Sequence, residues 1–227
     1  NETAAPPAGG SGGEAQETVS GTVAGAGASS QQAAMEAWIA GFTAVSPDAT
    51  INYDPSGSGG ARRAAEKLAE QLGFPESRVA EVGLAVTEIG TSFSGGICAL
   101  IAATAMPGLR SLVLFNPLLD YKRRFVDEKP YWSADRIDPA FAEELDRNGY
   151  VEHSPTFKLG RAMLNEVFQL SARDALARVT VPTLLVHGTK DTFISIDSSR
   201  EAVDQLATGS VLIEIEGAQH GFAVHDD

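Results

Sequence analysis

Three apolar segments, separated from one another by helical patterns, dominate the second half of this sequence. The predicted strands are Arg110–Phe115, Pro182–His187 and Val211–Glu216. The helical patterns are Leu119–Val126, Pro139–Asn148, Thr156–Phe168 and Ser198–Leu206. Strands that alternate with helices favour a parallel sheet with right-handed crossovers. The sequence therefore predicts an α/β fold with a parallel sheet at least in the C-terminal half.

Charge and hydropathy exclude two kinds of interaction. The formal net charge is −13, so the clustered Lys and Arg side chains that bind nucleic acid are not expected. The longest apolar run, Ile97 to Met106, is far shorter than the roughly 20 residues of a membrane span. The single cysteine, Cys98, lies in this apolar helical pattern and is predicted to be a buried structural thiol.

The first 62 residues have a different character. Residues 1–18 contain almost no large apolar side chain, which predicts a disordered tether. A strand near 19–25, a helix carrying Met35 to Phe42 and a strand at Ala49–Tyr53 are predicted to follow. The motifs GAGASSQ (25–31) and NYDPSGSGG (52–60) make residues 19–62 resemble the N-terminus of the phosphate-binding protein of ABC importers.

The resemblance to the phosphate-binding protein implies an anion site. In that family loop hydroxyls and helix N-terminal amides surround phosphate, which by position would make Ser29 and Ser58 the contacts here. The family completes its site with an Asp and an Arg–Ser–Gly–Thr cluster, and nothing after Arg62 continues that pattern. The alternative is that both serine–glycine loops are simple turns.

Residues 63–92 resemble the helix pair before the ATP site of anti-sigma-factor serine kinases, which belong to the histidine-kinase-like ATPases. The matching segment is LAEQLGFPESRVAEVGLAVTEIGTS, with an apolar helical stripe up to Ile89. The family motif is Glu-x-x-x-Asn. Here Glu88 is present but Ser92, a poor magnesium ligand, stands at the Asn position. We therefore expect helix packing from this segment, not ATP binding.

The segment SFSGG (92–96) has the pattern of a nucleophile elbow centred on Ser94. Such an elbow needs small residues two positions before and two after the nucleophile, because the tight turn brings backbone segments together. Ser92 takes the place of the first glycine of Gly-x-Ser-x-Gly, and Gly96 is the second. A helix cap at Ser94 is the alternative explanation.

Partners for this serine follow the two later strands. HGTKD (187–191) places Asp191 after the second strand, and GAQHGF (217–222) places His220 after the third. The order Ser, Asp, His is the order of α/β hydrolases, which the chain resembles from about 93 to 227. Asp120 is an alternative acid, and His187 reads as a strand-end histidine bonded to backbone.

The resemblance to α/β hydrolases implies a serine hydrolase or acyltransferase that acts on a small-molecule ester or thioester through an acyl-Ser94 intermediate. Neither a metal nor a cofactor is expected, and the Gly95 amide would supply one oxyanion-hole donor. The other family strands, and the second donor, are missing before the elbow. One hypothesis is that the strands at 19–25 and 49–53 replace them.

The whole sequence thus reads as a composite of three fragments: 19–62, 63–92 and 93–227. Two alternatives to an active enzyme follow, namely a catalytically inactive chimera and a residual phosphate-binding module. The N-terminal fragment suggests export, whereas the other two suggest the cytoplasm. Sequence does not indicate the oligomeric state.

Overall fold

A computed structural model describes residues 19–27, 32–55, 86–154 and 157–222. The chain divides into two compact units, Asn1–Val82 and Gly83–Asp227. The proposed phosphate contacts Ser29 and Ser58, the tether and most of the segment 63–92 lie outside the described residues. In the part that is described, no helix has the length and apolar character required to cross a membrane.

The first unit contains a parallel strand–helix–strand motif. Its elements are β1 (Gly21–Ala26), α1 (Gln32–Val45) and β2 (Ala49–Asp54). These are the strand, helix and strand that the sequence predicts. Residues of β1 pair in parallel with residues of β2, from Gly21 with Ala49 to Ala26 with Asp54. Among the described strands they pair only with each other. The hypothesis that they replace missing hydrolase strands stays a prediction.

The second unit is built on a four-stranded parallel sheet in the order β10-β9-β4-β3. Its strands are β3 (Val86–Thr91), β4 (Leu109–Phe115), β9 (Thr183–Gly188) and β10 (Val211–Ile215). The helix α2 (Phe93–Ala102) connects β3 to β4, and α6 (Asp197–Val203) connects β9 to β10. Most of β9 is buried because its side chains on both faces are covered, as in sheets flanked by helices.

A long insertion separates β4 from β9. It contains, in chain order, a π-helix (Arg123–Asp127), β5 (Trp132–Ser133), β6 (Arg136–Ile137), α3 (Pro139–Asn148), β7 (Tyr150–Ser154), β8 (Phe157–Gly160), α4 (Arg161–Glu166), α5 (Ala172–Ala175) and a 3₁₀ turn (Leu176–Arg178). The strands pair as two antiparallel hairpins, β5 with β6 and β7 with β8. Aromatic side chains of the insertion pack on Phe93 at the start of α2.

Two sequence predictions of helix are wrong in part. Residues 86–91, the end of the predicted helical stripe, form β3, because they pair in parallel with β4. The pattern at Thr156–Phe168 is divided between β8 and the short helix α4. In both places a hydrogen-bonded neighbouring strand, which periodicity cannot reveal, determines the local structure.

Candidate active site

Three polar side chains lie where strands of the second unit end. Ser92 follows β3, Asp191 follows β9 and His220 follows β10. Parallel strands bring their carboxyl ends to one edge of the sheet, which is where open α/β sheets form their sites.

These three side chains form one hydrogen-bonded chain. The distance from His220 Nε2 to Ser92 Oγ is 2.8 Å, and the distance from His220 Nδ1 to Asp191 Oδ2 is 2.6 Å. Because a carboxylate only accepts, Nδ1 carries a proton that it donates to Asp191, and Nε2 of the neutral ring accepts from the serine hydroxyl. The structure therefore brings Asp191 and His220 together, as the sequence predicts.

The prediction that Ser94 faces His220 is wrong. The Ser94 hydroxyl accepts a hydrogen bond from the Thr91 amide at 3.1 Å and donates one to the Thr91 carbonyl oxygen at 2.9 Å. It is the second residue of α2 and an exposed one. The serine that reaches the imidazole is Ser92, two residues earlier.

The backbone of Ser92 explains why this residue points at the histidine. Its φ is 48° and its ψ is −119°, a left-handed conformation that a residue with a side chain adopts only at a cost. Neighbouring backbone holds it there: the Ser92 amide donates to Phe115 O at 2.8 Å, and the Leu118 amide donates to Ser92 O at 2.9 Å. A strained turn from strand to helix is the nucleophile elbow geometry.

Gly90 provides the close packing that this turn requires. A Cβ atom added to Gly90 would lie 2.8 Å from Gly95 Cα and 2.9 Å from Cys98 Sγ, both in α2. The elbow motif is therefore Gly90-Thr91-Ser92-Phe93-Ser94, in which a serine replaces the second glycine. Gly90 was the signal in the sequence that could have identified Ser92.

The prediction of Gly95 as the oxyanion-hole donor is also wrong. The Gly95 amide donates to Ser92 O at 3.0 Å within the first turn of α2. Its lack of a side chain has a packing role, because a Cβ there would lie 2.7 Å from Pro117 Cβ. The amide next to the serine is that of Phe93, the first residue of α2, where the helix offers no acceptor.

Asp191 is held as a carboxylate by several donors. Its side chain is fully buried, and Oδ1 accepts from the amides of Phe193 at 2.8 Å and Ile194 at 3.0 Å. Burial alone would raise the pKa of the Asp191 carboxyl, but hydrogen bonds from His187, His220 and the two amides outweigh it and hold the pKa well below its usual value.

Other candidates from the sequence occupy structural positions. Asp120 Oδ1 accepts from the Arg123 amide, which makes it a cap of the turn that leads into the π-helix. His187 is fully buried and contacts the Ile194 carbonyl, as expected of a strand-end histidine. Burial and the nearby Lys129 and Arg124 cations lower the pKa of His153 to about 4. His225 lies outside the described residues.

Aromatic rings lie beside the site. The ring of Phe193, more than half exposed, lies 5.3 Å from the His220 ring, and Phe222 packs edge-on against Phe115.

Cys98 is buried, and burial with the neighbouring Glu88 raises the pKa of its thiol to about 12, so it is a structural thiol. Among residues 86–154 and 157–222, no group of His, Cys, Asp and Glu side chains is arranged to hold a metal ion.

Two family profiles match parts of this chain. The profile of the serine aminopeptidase S33 family matches residues 132–227, which include Asp191 and His220, and that of the PBP superfamily domain matches residues 12–89. The second match fits the predicted fragment 19–62 and extends over most of 63–92. The resemblance of 63–92 to anti-sigma-factor kinases finds no support. None of the curated protein sequences compared with the chain matches it.

Solved structures of esterases are similar to this chain at low sequence identity. Est1E from Butyrivibrio proteoclasticus has a TM-score of 0.58 and 14% identity, over 89% of this chain and 81% of that one. The esterase domain of a Rhodothermus marinus protein has a TM-score of 0.52 and 13% identity, over 89% and 79%. The alpha/beta hydrolase domain-containing protein 10 from mouse has a TM-score of 0.56 and 13% identity, over 91% and 84%.

At these identities the likeness establishes the fold. The predicted fold class is confirmed: the chain has an α/β fold whose parallel sheet and flanking helices match those of α/β hydrolases.

Proposed function

We propose that this chain is a serine hydrolase that cleaves small-molecule esters or thioesters through an acyl-Ser92 intermediate. The observation that carries the proposal is the chain of two hydrogen bonds from Asp191 through His220 to Ser92, which joins residues 128 positions apart in sequence. A serine hydroxyl is a weak nucleophile on its own, and this arrangement supplies the base that activates it.

Each residue has a defined step in the proposed reaction. His220 Nε2 takes the proton of Ser92 as its Oγ attacks the ester carbonyl, while Asp191 stabilises the imidazolium. The Phe93 amide donates to the oxyanion of the tetrahedral intermediate. His220 then protonates the leaving alkoxide or thiolate. A water molecule, deprotonated by His220, then attacks the acyl carbon; the bond from the acyl carbon to Ser92 Oγ breaks, His220 returns the proton to Oγ, and the acid leaves. Attack by an alcohol in place of water at this step would make the chain an acyltransferase.

Apolar groups around the proposed nucleophile favour an ester over a peptide substrate. The exposed ring of Phe193 beside His220 offers an apolar surface to the acyl or leaving group. We expect the chain to hydrolyse p-nitrophenyl esters but not aminoacyl p-nitroanilides, and the reverse result would reject the choice of an ester.

Fluorophosphonate labelling, analysed by intact mass and peptide mapping, tests the proposal. We expect one adduct, on Ser92, which is lost in Ser92→Ala and retained in Ser94→Ala. An adduct on Ser94 would reject the assignment. No adduct on soluble, cooperatively folding protein would instead support the alternative of an inactive chimera.

A further inference from the structure

His187 is a second histidine beside the Asp191 carboxylate. It lies in β9, is completely buried and contacts three groups. Nδ1 is 2.8 Å from Ser199 Oγ in α6, and Nε2 is 3.0 Å from the Ile194 carbonyl oxygen. Nε2 also lies 3.4 Å from Asp191 Oδ2, the oxygen that accepts from His220.

These contacts define the proton positions on the His187 ring. A carbonyl oxygen only accepts, so Nε2 carries the proton and donates it to Ile194. In the neutral ring Nδ1 is then an acceptor, and the Ser199 hydroxyl donates to it. The Ile194 carbonyl therefore sets the tautomer in which the proton of His187 lies on the side of Asp191, and the Ser199 hydroxyl holds Nδ1 of that ring.

Ile194 links His187 to the carboxylate through the two peptide groups that flank its Cα atom. Its carbonyl accepts from His187, and its amide donates to Asp191 Oδ1 at 3.0 Å. The loop from 189 to 196 is thus held from β9 at the residue whose amide also orients the acid. Both oxygens of Asp191 consequently depend on His187, Oδ1 through Ile194 and Oδ2 through direct proximity.

We propose that His187 is a positioning residue, which holds the Asp191 carboxylate in the orientation that His220 requires. This role rests on the proposed serine hydrolase function, but it makes a structural claim that can be measured without turnover. Without the His187 donor the backbone at Ile194 can rotate, and the carboxylate can move with the Ile194 amide. A displacement of about 1 Å in a catalytic group costs on the order of 100-fold in rate.

Four variants separate positioning from plain stabilisation. His187→Leu removes both ring nitrogens, whereas His187→Gln retains an amide donor at about the reach of Nε2. Ser199→Ala leaves His187 in place but removes the hydroxyl that donates to Nδ1 and holds the ring. Leu145→Ala, which creates a cavity at the buried residue of α3, is the control for a general loss of stability.

Two readouts are compared in these variants: kcat per fluorophosphonate-titrated site, and the downfield proton resonance of His220 Nδ1–H, assigned by its loss in His220→Gln. We expect His187→Leu to lower kcat by about 10- to 100-fold with little change in KM. It should also broaden the resonance by exchange. His187→Gln should restore both, Ser199→Ala should shift both in the direction of the Leu variant, and Leu145→Ala should leave both unchanged.

The inference and the proposed function can fail separately. If the wild type neither reacts with the fluorophosphonate nor hydrolyses esters, the proposed function is rejected. Positioning would still be supported if the His220 Nδ1–H resonance is present in the wild type and lost in His187→Leu. If wild type is active and the resonance and kcat per site persist in His187→Leu, positioning is rejected. Should that variant not fold, an unchanged resonance and kcat in Ser199→Ala would overturn the inference.

Discussion

The Ser94 hydroxyl closes a turn on the Thr91 backbone, with hydrogen bonds to both its amide at 3.1 Å and its carbonyl at 2.9 Å. Ser92, which lies between these two residues, is forced outward with φ of 48° and meets His220. One hydroxyl can donate and accept at once, so Ser94 stabilises a strained turn from within. Ser94 thereby helps to hold the backbone conformation of Ser92, the other serine of the elbow.

The two serines should respond differently to truncation. We expect Ser92→Ala to lower kcat for a p-nitrophenyl ester by about 10⁴-fold or more, because the attacking oxygen is lost. Ser94→Ala removes hydrogen bonds worth about 1 kcal/mol and should cost at most about 10-fold. Steady-state kinetics on both variants, normalised by folded protein, makes the comparison. Equal losses in the two variants, or a larger loss in Ser94→Ala, would contradict the geometry.

Gly90 should tolerate no side chain. Its added Cβ would meet Gly95 Cα at 2.8 Å, a backbone atom that cannot move away, so Gly90→Ala should destabilise the chain by about 1–3 kcal/mol. Gly160→Ala is the matched control, since the nearest atom to its Cβ would be 3.6 Å away. Its cost should stay below about 1 kcal/mol, because Gly160 is the N-cap of α4, where alanine is less favourable than glycine but meets no close atom. Urea titration followed by circular dichroism measures both, and similar midpoints for the two variants would show that the elbow is not closely packed.

The sequence predicts some elements of this fold accurately because their signals are local. α3 covers the predicted helix Pro139–Asn148, since Asp138 accepts from the Ala140 amide and Pro139 fits the first turn. Gly149 ends the helix in a left-handed conformation, with φ of 77°. Start and stop signals of this kind need no knowledge of the rest of the chain.

The elbow could not be placed by its motif alone. Two frames fit equally, one with Ser94 as nucleophile and Ser92 replacing the first glycine, the other with Ser92 as nucleophile and Ser94 replacing the second. The packing of the first position against α2 decides between them, and there only Gly90 fits. This contact joins a strand to a helix, so spacing along the chain does not reveal it.

The strand β3 shows a second limit of sequence reasoning. The apolar stripe that ends at Ile89 favours a helix, yet Thr87 pairs with Ser111 of β4 and their hydroxyls lie 2.7 Å apart. Pairing with a neighbouring strand overrides the local preference. The result also leaves a carboxyl, that of Glu88, inside the structure.

Glu88 should destabilise the chain at neutral pH. Burial raises the pKa of its carboxyl, with only partial compensation from the Cys98 thiol, and Oε2 is buried without a hydrogen-bond partner. A raised pKa of an acid in the folded state means that stability falls as pH rises above the unfolded value, about 4.3. We therefore expect Glu88→Gln to stabilise by about 1 kcal/mol at pH 7 and by less at pH 4.

Urea unfolding at the two pH values measures this difference. Glu143→Gln, which removes an exposed negative charge from α3, is the control for the change in net charge. A Glu88→Gln effect that is the same at both pH values would contradict the burial of an ionised group.

Asp191 should show the opposite dependence on pH. Its hydrogen bonds hold the pKa of the folded carboxyl below the unfolded value, so they stabilise the chain above about pH 4 and are lost as pH falls through the folded-state value. Asp191→Asn should therefore cost about 2 kcal/mol at pH 7, with the gap from wild type narrowing towards pH 3. The kcat of Asp191→Asn should fall by about 10⁴-fold, because the side-chain NH₂ of asparagine donates to Nδ1 and so favours the wrong tautomer of His220. Asp120→Asn, the alternative acid, only loses a turn cap and should retain activity within a few-fold. The reverse ranking in kcat would assign the acid to Asp120.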